Sequence, residues 1–288
     1  MPNENTRRPG LTDASHASDI AKGERFGFGA NWARFLSVLD EERIDAAVES
    51  LRNMLGVHDL KERTFLDIGS GSGLFSLAAR RLGARVHSFD YDPQSVACTQ
   101  ELRRRYFRDD AQWVAEQGSA LDAAYLASLG YFDVVYSWGV LHHTGSLWLG
   151  IEHALQRVGP GGQLYIAIYN DQGWWSRVWW LIKHFYNKLP SLLKPAYAYG
   201  VWYTIIGLNV VKYTVKLQPM NAIRPLIGYK PGRGMSVSHD IVDWMGGFPF
   251  EVARYDLLID YLQARGFTLT HGSPNYGMGC HELVAARV

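Results

Sequence analysis

Along this 288-residue chain, short apolar runs trade places with stretches whose apolar positions recur every three or four residues. TFLDIG from Thr64, ARVHSFDYD from Ala84, AQWVAEQGSA from Ala111, YFDVVYSWGVL from Tyr131 and QLYIAIYND from Gln163 have the length and composition of strands in a covered sheet. Helical patterns fill the gaps. DEERIDAAVESLRNMLG opens on Asp40 as N-cap and stops at Gly56, LFSLAARRLG closes at Gly83, and PQSVACTQELRRRYF carries Pro93 in its first turn. LDAAYLASLG is another helix, and SLWLGIEHALQRVGPGG reads as a helix followed by a turn. After a long excursion the rhythm resumes with the helix YDLLIDYLQARG and two strands, FTLTHG and HELVAARV. Strands alternating with helices imply right-handed crossovers and an α/β, doubly wound sheet of seven strands. The ligand-bearing loops of such a sheet lie at its carboxyl edge, here the loops holding Gly69, Asp90, Ser119, His142, Asp171 and residues 271–280.

The pattern divides the chain into an N-terminal segment over 1–39, a core over 40–170 and 250–288, and an insertion over 171–249 too long for a plain loop. Hydrophobic residues at 47% and charged residues at 20% fit a globular protein. The first 23 residues are polar, so they are expected to be a flexible tail, neither signal peptide nor anchor. Cys98 and Cys280 form no spaced framework, which points to a reducing, cytoplasmic setting.

A net charge of +1 conceals an asymmetry. From Gln172 to His239 there are nine Lys or Arg residues and no Asp or Glu, while the rest of the chain holds 20 basic and 28 acidic residues. Five of the ten tryptophans lie between Trp174 and Trp202. WWSRVWWLIKHFYNKL sets Arg177, His184 and Lys188 along one helical face, with apolar residues over most of the remainder. A basic, Trp-rich amphipathic segment is expected to cover an apolar, anionic or lipid-linked substrate, to touch a membrane surface through 174–216, or to form a homo-oligomer contact. PAYAYGVWYTIIGLNVV, from Pro195, is uncharged but rich in Pro, Gly, Asn and Tyr, which favours a buried lid helix or an interfacial segment over a bilayer span.

The chemistry concentrates in FLDIGSGSGLF, residues 65–75. A dinucleotide fingerprint would need glycine at position 74, which is Leu74; the third glycine comes early, at Gly73. Asp67, two residues before the first glycine, would repel a pyrophosphate and attract a ligand carrying an amino group and a sulfonium. The order LDIGSGSG, FDYD, FDVVYSWGVLHH, VGPGGQLYIAIY resembles the class I S-adenosylmethionine-dependent methyltransferases of small-molecule type over roughly 40–170 and 250–288. The resemblance implies a Rossmann-like sheet, mostly parallel with an antiparallel last strand, plus a helical lid, with S-adenosyl-L-methionine as cofactor. It puts Asp67, Gly69, Ser70, Gly71 and Gly73 under the methionine portion and Asp90 on the ribose; Tyr91, next to Asp90, is a candidate to lie against the adenine face, with core packing the alternative. Ser119, standing where many relatives carry an acid, joins Ala120 and Trp138 in the same cofactor-binding set.

His142 and His143 end the fourth strand where the methyl acceptor is expected, and a histidine there can take the acceptor proton. His239 and Asp240, in MSVSHDIVDWMGGFPFE, form a second candidate pair. The histidines and acids show no recognised metal-ligand spacing, so no metal is expected. In RFGFGANWARFL, the residues Phe26, Asn31 and Trp32 are candidates to close over the cofactor. The expected reaction is methyl transfer to an oxygen, less readily a nitrogen, of a small or lipid-linked apolar metabolite. A nucleic-acid methyltransferase is the rival enzyme, disfavoured because SWGVLHH replaces the Asn/Asp-Pro-Pro-aromatic motif; a non-catalytic, membrane-docking cofactor binder is the rival from another class.

Overall fold

The computed structural model describes residues 13–108, 110–215 and 244–288. Seven strands form one sheet in the order β3-β2-β1-β4-β5-β7-β6: β1 (Thr64–Ile68), β2 (Arg85–Asp90), β3 (Trp113–Gln117), β4 (Phe132–Trp138), β5 (Val158–Tyr169), β6 (Phe267–Ser273) and β7 (Cys280–Arg287). β7 runs antiparallel to both β5 and β6, and the other pairings are parallel. Alternate strand positions feed two hydrophobic layers. Leu66, Val135, Leu164 and Ile166 pack toward α6 (Ala123–Ser128), α7 (Leu147–Leu155) and α10 (Tyr255–Gln263). Phe65, Val134, Tyr136 and Tyr165 pack toward α3 (Glu41–Leu55), α4 (Leu74–Arg81) and α5 (Pro93–Tyr106).

Local chemistry sets the helix ends. Asp40 accepts the Arg43 N–H at 2.9 Å to start α3, and Gly56 ends it with φ +66°. Asp92 caps α5 by accepting the Gln94 N–H at 2.8 Å, ahead of Pro93 in the first turn. One boundary differs from the sequence expectation. The VGPGG run is the start of β5, which pairs Val158 with Phe132 across a bulge instead of turning. Glycine makes this possible: a side chain at Gly162 would meet the Asp133 carbonyl at 2.9 Å and the Phe132 carbonyl at 3.0 Å.

The N-terminal segment also departs from the expected tail. It forms α1 (Asp13–Ala21) and α2 (Gly29–Phe35), held by long-range polar contacts that a polar composition does not reveal. Gly29 donates to Asp92 at 2.8 Å, His16 lies 3.7 Å from the same carboxylate, and Arg25 stacks 4.7 Å over the Tyr91 ring.

The chain leaves the sheet after β5, forms α8 (Trp174–Lys188) and α9 (Lys194–Val215), and returns to bridge Asn170 with Ala253. Trp179, Tyr186, Ala198, Met245, Phe248 and Phe250 make a small separate core beneath these helices. Gly246 is a close packing point, where a Cβ would meet the Phe26 ring at 2.2 Å. No helix among the described residues is long and apolar enough to cross a membrane.

Candidate active site

A cleft of about 500 Å³ opens at the carboxyl edge of the sheet, between the loops after β1, β2, β3 and β4 and the N-terminal helices. Its floor is the glycine loop. Gly69, Gly71 and Gly73 take φ values of +77°, +55° and +83°, conformations that glycine adopts without steric penalty. Space is equally restrictive: a Cβ at Gly69 would lie 2.3 Å from Val140 Cγ1, one at Gly71 would lie 3.0 Å from the Trp32 indole, and one at Gly73 would lie 2.8 Å from the Thr99 backbone. The loop is therefore pressed on from three sides by β4's exit, α2 and α5.

Two carboxylates face this loop, Asp67 buried and Asp90 half-buried. Asp67 accepts a short hydrogen bond from the Ser76 hydroxyl; Ser76 in turn lies 2.7 Å from Ser88, which accepts from the Trp113 indole N–H at 3.0 Å. Burial, with the nearby Asp90 charge adding to it, raises the Asp67 carboxyl to about 7. Asp90 accepts the Gly71 N–H and the Asp92 N–H, each at 2.9 Å, and so ties the glycine loop to the end of β2. Burial raises its carboxyl to about 6 despite those two bonds. Asp92, not Asp90, supplies the helix cap, so the Asp90 carboxylate is directed at the loop and the cleft.

Most of the sequence-derived site residues meet here. Asp67, Gly69, Ser70, Gly71, Asp90 and Tyr91 all line the cleft. Ser119, Ala120 and Trp138 line it as well, while Gly73 packs behind the loop against Thr99. Ser119 Oγ accepts the Leu121 N–H at 3.1 Å, and Asp122 is spent on capping α6. Phe26 and Trp32 reach the cleft wall; Asn31 is buried and contacts Arg34 instead.

The adjacent histidines separate. His142 and His143 share a 3-10 turn, Leu141–His143, after β4. His142 is fully buried, accepts the Tyr169 N–H at Nδ1 (3.3 Å) and lies 3.9 Å from the Tyr169 ring, so it fastens the turn to β5. Burial holds it neutral, well below the ordinary histidine range, with the Lys183 cation acting in the same direction. His143 lines the cleft. Its Nδ1 lies 2.6 Å from the Pro249 carbonyl, which can only accept, so Nδ1 carries the proton and Nε2 is the basic nitrogen. Burial lowers this histidine to about 3, and the cations of Lys183 and Arg25 add to the effect.

His239 and Asp240 lie outside the described residues. Glu251, from the same stretch, accepts the Leu147 N–H at 3.1 Å and serves the start of α7. Among the described residues no group of three His, Cys, Asp or Glu side chains could hold a metal ion.

Sequence reasoning passed over Arg25, Tyr169 and Trp244, all of which line the cleft near His143. Arg25 donates to the His143 carbonyl at 3.1 Å. Its position directly before the Phe-Gly repeat was the available signal.

A family model described as a methyltransferase domain matches residues 39–213. The chain is 31% identical over 120 residues to a ubiquinone biosynthesis O-methyltransferase of Parvibaculum lavamentivorans, covering 40% of this chain and 43% of that protein. A ribosomal protein L11 methyltransferase of Methylococcus capsulatus is 42% identical over 69 residues, 24% of each chain. The chain thus spans less than half the length of these curated relatives. Among solved structures, magnesium protoporphyrin IX methyltransferase from Synechocystis PCC 6803 with bound SAH shares the fold, with a TM-score of 0.55 at 15% identity over 94% of this chain and all of the other.

Proposed function

The chain belongs to the class I S-adenosylmethionine-dependent methyltransferase family, and from that premise we propose that it methylates an oxygen, less readily a nitrogen, of a small, largely apolar acceptor. The observation that carries the reading is the pair of carboxylates, Asp67 buried and Asp90 half-buried, bracketing a glycine loop that leaves no room for side chains. A cationic sulfonium compound fits this cradle, since both carboxyls have been lifted by burial and regain their charge most favourably beside a cation. Bound there, S-adenosylmethionine supplies an electrophilic methyl carbon. Asp67 and the glycine loop would hold its methionine part, Asp90 its ribose, and Tyr91, Ser119, Ala120 and Trp138 the adenine and the remaining cleft wall.

Acceptor chemistry falls to the other end of the cleft, among Phe28, Tyr169, Trp244 and His143. Apolar rings there exclude water and orient the acceptor, the effect on which positioning catalysis depends. His143 Nε2, unprotonated and kept so by the Pro249 carbonyl, accepts a hydrogen bond from an acceptor hydroxyl. Its low proton affinity makes it a better orienting acceptor than a proton store. Arg25 and Lys183 place two cations around it, which favours a hydroxyl acidic enough to enter on His143 Nε2, release its proton to water and react as the anion, such as a phenol or enol. These features support an O-methyl acceptor of that class.

Removing the His143 ring should separate the two ends of the cleft. His143→Ala is expected to lower kcat by about 10²-fold while leaving S-adenosylmethionine affinity within a few fold, with His143→Gln intermediate because its amide keeps a donor and an acceptor. Methyl-labelled cofactor incubated with metabolite extracts identifies the acceptor on which the comparison is made. Unchanged kcat in His143→Ala would remove this residue from the acceptor site.

Acid should act through the carboxylates and not through His143. A group lifted to about 7 or 6 is increasingly protonated below those values, so cofactor affinity is expected to fall as pH drops from 7 to 5. The histidine, lowered to about 3, stays neutral throughout that window. Calorimetric titrations across it, read with the proton released on binding, check the sign; tighter binding at pH 5 than at pH 7 would contradict it.

A further inference from the structure

α8 turns its polarity inside out. Its buried face runs through Ser176, Lys183 and Asn187 alongside Trp179 and Tyr186, while its outer face carries Trp174, Leu181 and Phe185, which are 62%, 61% and 60% exposed. On a water-facing helix the order is the reverse. Lys183 is the centre of the inner stripe: its ammonium donates to the Trp244 carbonyl and sits 4.6 Å over the Trp244 ring and 4.9 Å over the Phe250 ring. A buried cation satisfied in this way fixes which side of the helix faces out.

α9 packs its start against α8, with the Phe185 and Tyr197 ring centroids 5.9 Å apart. It is 22 residues long, about 33 Å, and Ala198 is its one buried residue. Tyr203, Leu208, Val211 and Val215 are all more than half exposed. Apolar exposure on this scale marks an interaction surface. Arg177 and Lys188 flank the outer ridge of α8, Lys194 and Lys212 lie on α9, and from Gln172 to Val215 the chain contains no acid.

We propose that the outer faces of α8 and α9 dock on an anionic lipid bilayer, lying in its interface with the aromatic and aliphatic side chains among the acyl chains and the cations among the headgroups. Docking of this kind requires no methyl transfer. Charge decides between occupants. A second copy packed through this face about a two-fold axis would set the same cations against themselves with no acid to meet them. A nucleic acid would meet the cations and could stack on Trp174, Phe185 and Tyr203, but it would leave the exposed aliphatic side chains of Leu181, Leu208, Val211 and Val215 without an apolar partner, which acyl chains supply. Because Lys183 on the inner face of α8 packs against Trp244, and Trp244 lines the cleft, a docked α8 would bring the acceptor end of the cleft to the lipid surface, where an apolar acceptor dissolves.

Sedimentation of the full chain with phosphatidylglycerol vesicles and with phosphatidylcholine vesicles tests this. The chain is expected to pellet with the first and remain in solution with the second, and to release as salt is raised. Leu181→Asp with Phe185→Asp should lower the partition coefficient at least tenfold, and Arg177→Glu, Lys188→Glu and Lys212→Glu about fivefold for each cation removed. Both sets alter exposed positions, so melting temperature and S-adenosylmethionine affinity should stay at wild-type values, which separates this proposal from the methyl-transfer reading. Failure to pellet with phosphatidylglycerol would overturn it. So would wild-type partitioning of both variants, or a dimer in sedimentation equilibrium that Leu181→Asp dissociates.

Discussion

Asp67→Asn is expected to raise the melting temperature of the cofactor-free protein by about 3 °C or more at pH 8, and at the same time to weaken S-adenosylmethionine binding at least tenfold. The two effects share one cause. Folding buries Asp67 beside Asp90 and lifts its carboxyl to about 7, against about 3.9 in an unfolded chain. Between those values the folded form holds a proton that the unfolded form has lost. Stability from this group is therefore complete below about pH 4 and is lost as pH rises through 7. At pH 8 the folded chain must carry an unwelcome charge, which asparagine removes while its side-chain oxygen still accepts the Ser76 hydroxyl. The same charge is what a cation would bind. Thermal melts with and without cofactor read both signs in one experiment, and a variant that is destabilised without cofactor would contradict the account.

Gly69→Ala should cost about 10²-fold in cofactor affinity, from one methyl group. The residue adopts φ +77°, which costs an L side chain roughly 1 kcal/mol, and its Cβ would stand 2.3 and 2.5 Å from the two methyls of Val140. Val140 is β-branched and cannot swing aside as a long side chain would. The loop must move instead, and with it the Asp90 bond to the Gly71 N–H. Val140→Ala in the same chain is expected to restore much of the loss, so the two substitutions should be non-additive in a double-mutant cycle. Strict additivity would show that the Val140 contact does not position the loop.

How much of this was legible in the sequence depends on the range of the forces involved. The seven strands, their helices and the glycine loop follow local rules of period, capping and turn chemistry, and TFLDIG, FDYD and SWGVLHH stand where those rules put them. The GPGG run did not, because its glycines serve a close backbone approach to β4, which reads in sequence as a turn. The division of labour between His142 and His143 was also hidden. Both are neutral and buried; what separates them is whether Nδ1 meets the Tyr169 N–H or the Pro249 carbonyl, and those partners lie 27 and 106 residues away. The N-terminal helices escaped notice for the same reason, since the Gly29 and Arg25 contacts with Asp92 and Tyr91 are polar and distant. In α8 the amphipathic pattern was visible, but the buried stripe passes through Lys183 and Asn187, contrary to the usual reading of charge as outward.

The most direct test of the central claim is calorimetric titration of S-adenosylmethionine into the wild-type chain and into Asp90→Ala at pH 7.5. The account predicts one site per chain, with affinity reduced about 10²-fold or more in the variant, which loses a charged acceptor facing both the cleft and the Gly71 N–H. Equal binding by the two proteins, or none by the wild type, would show that the carboxylate-flanked glycine loop is not the cofactor site.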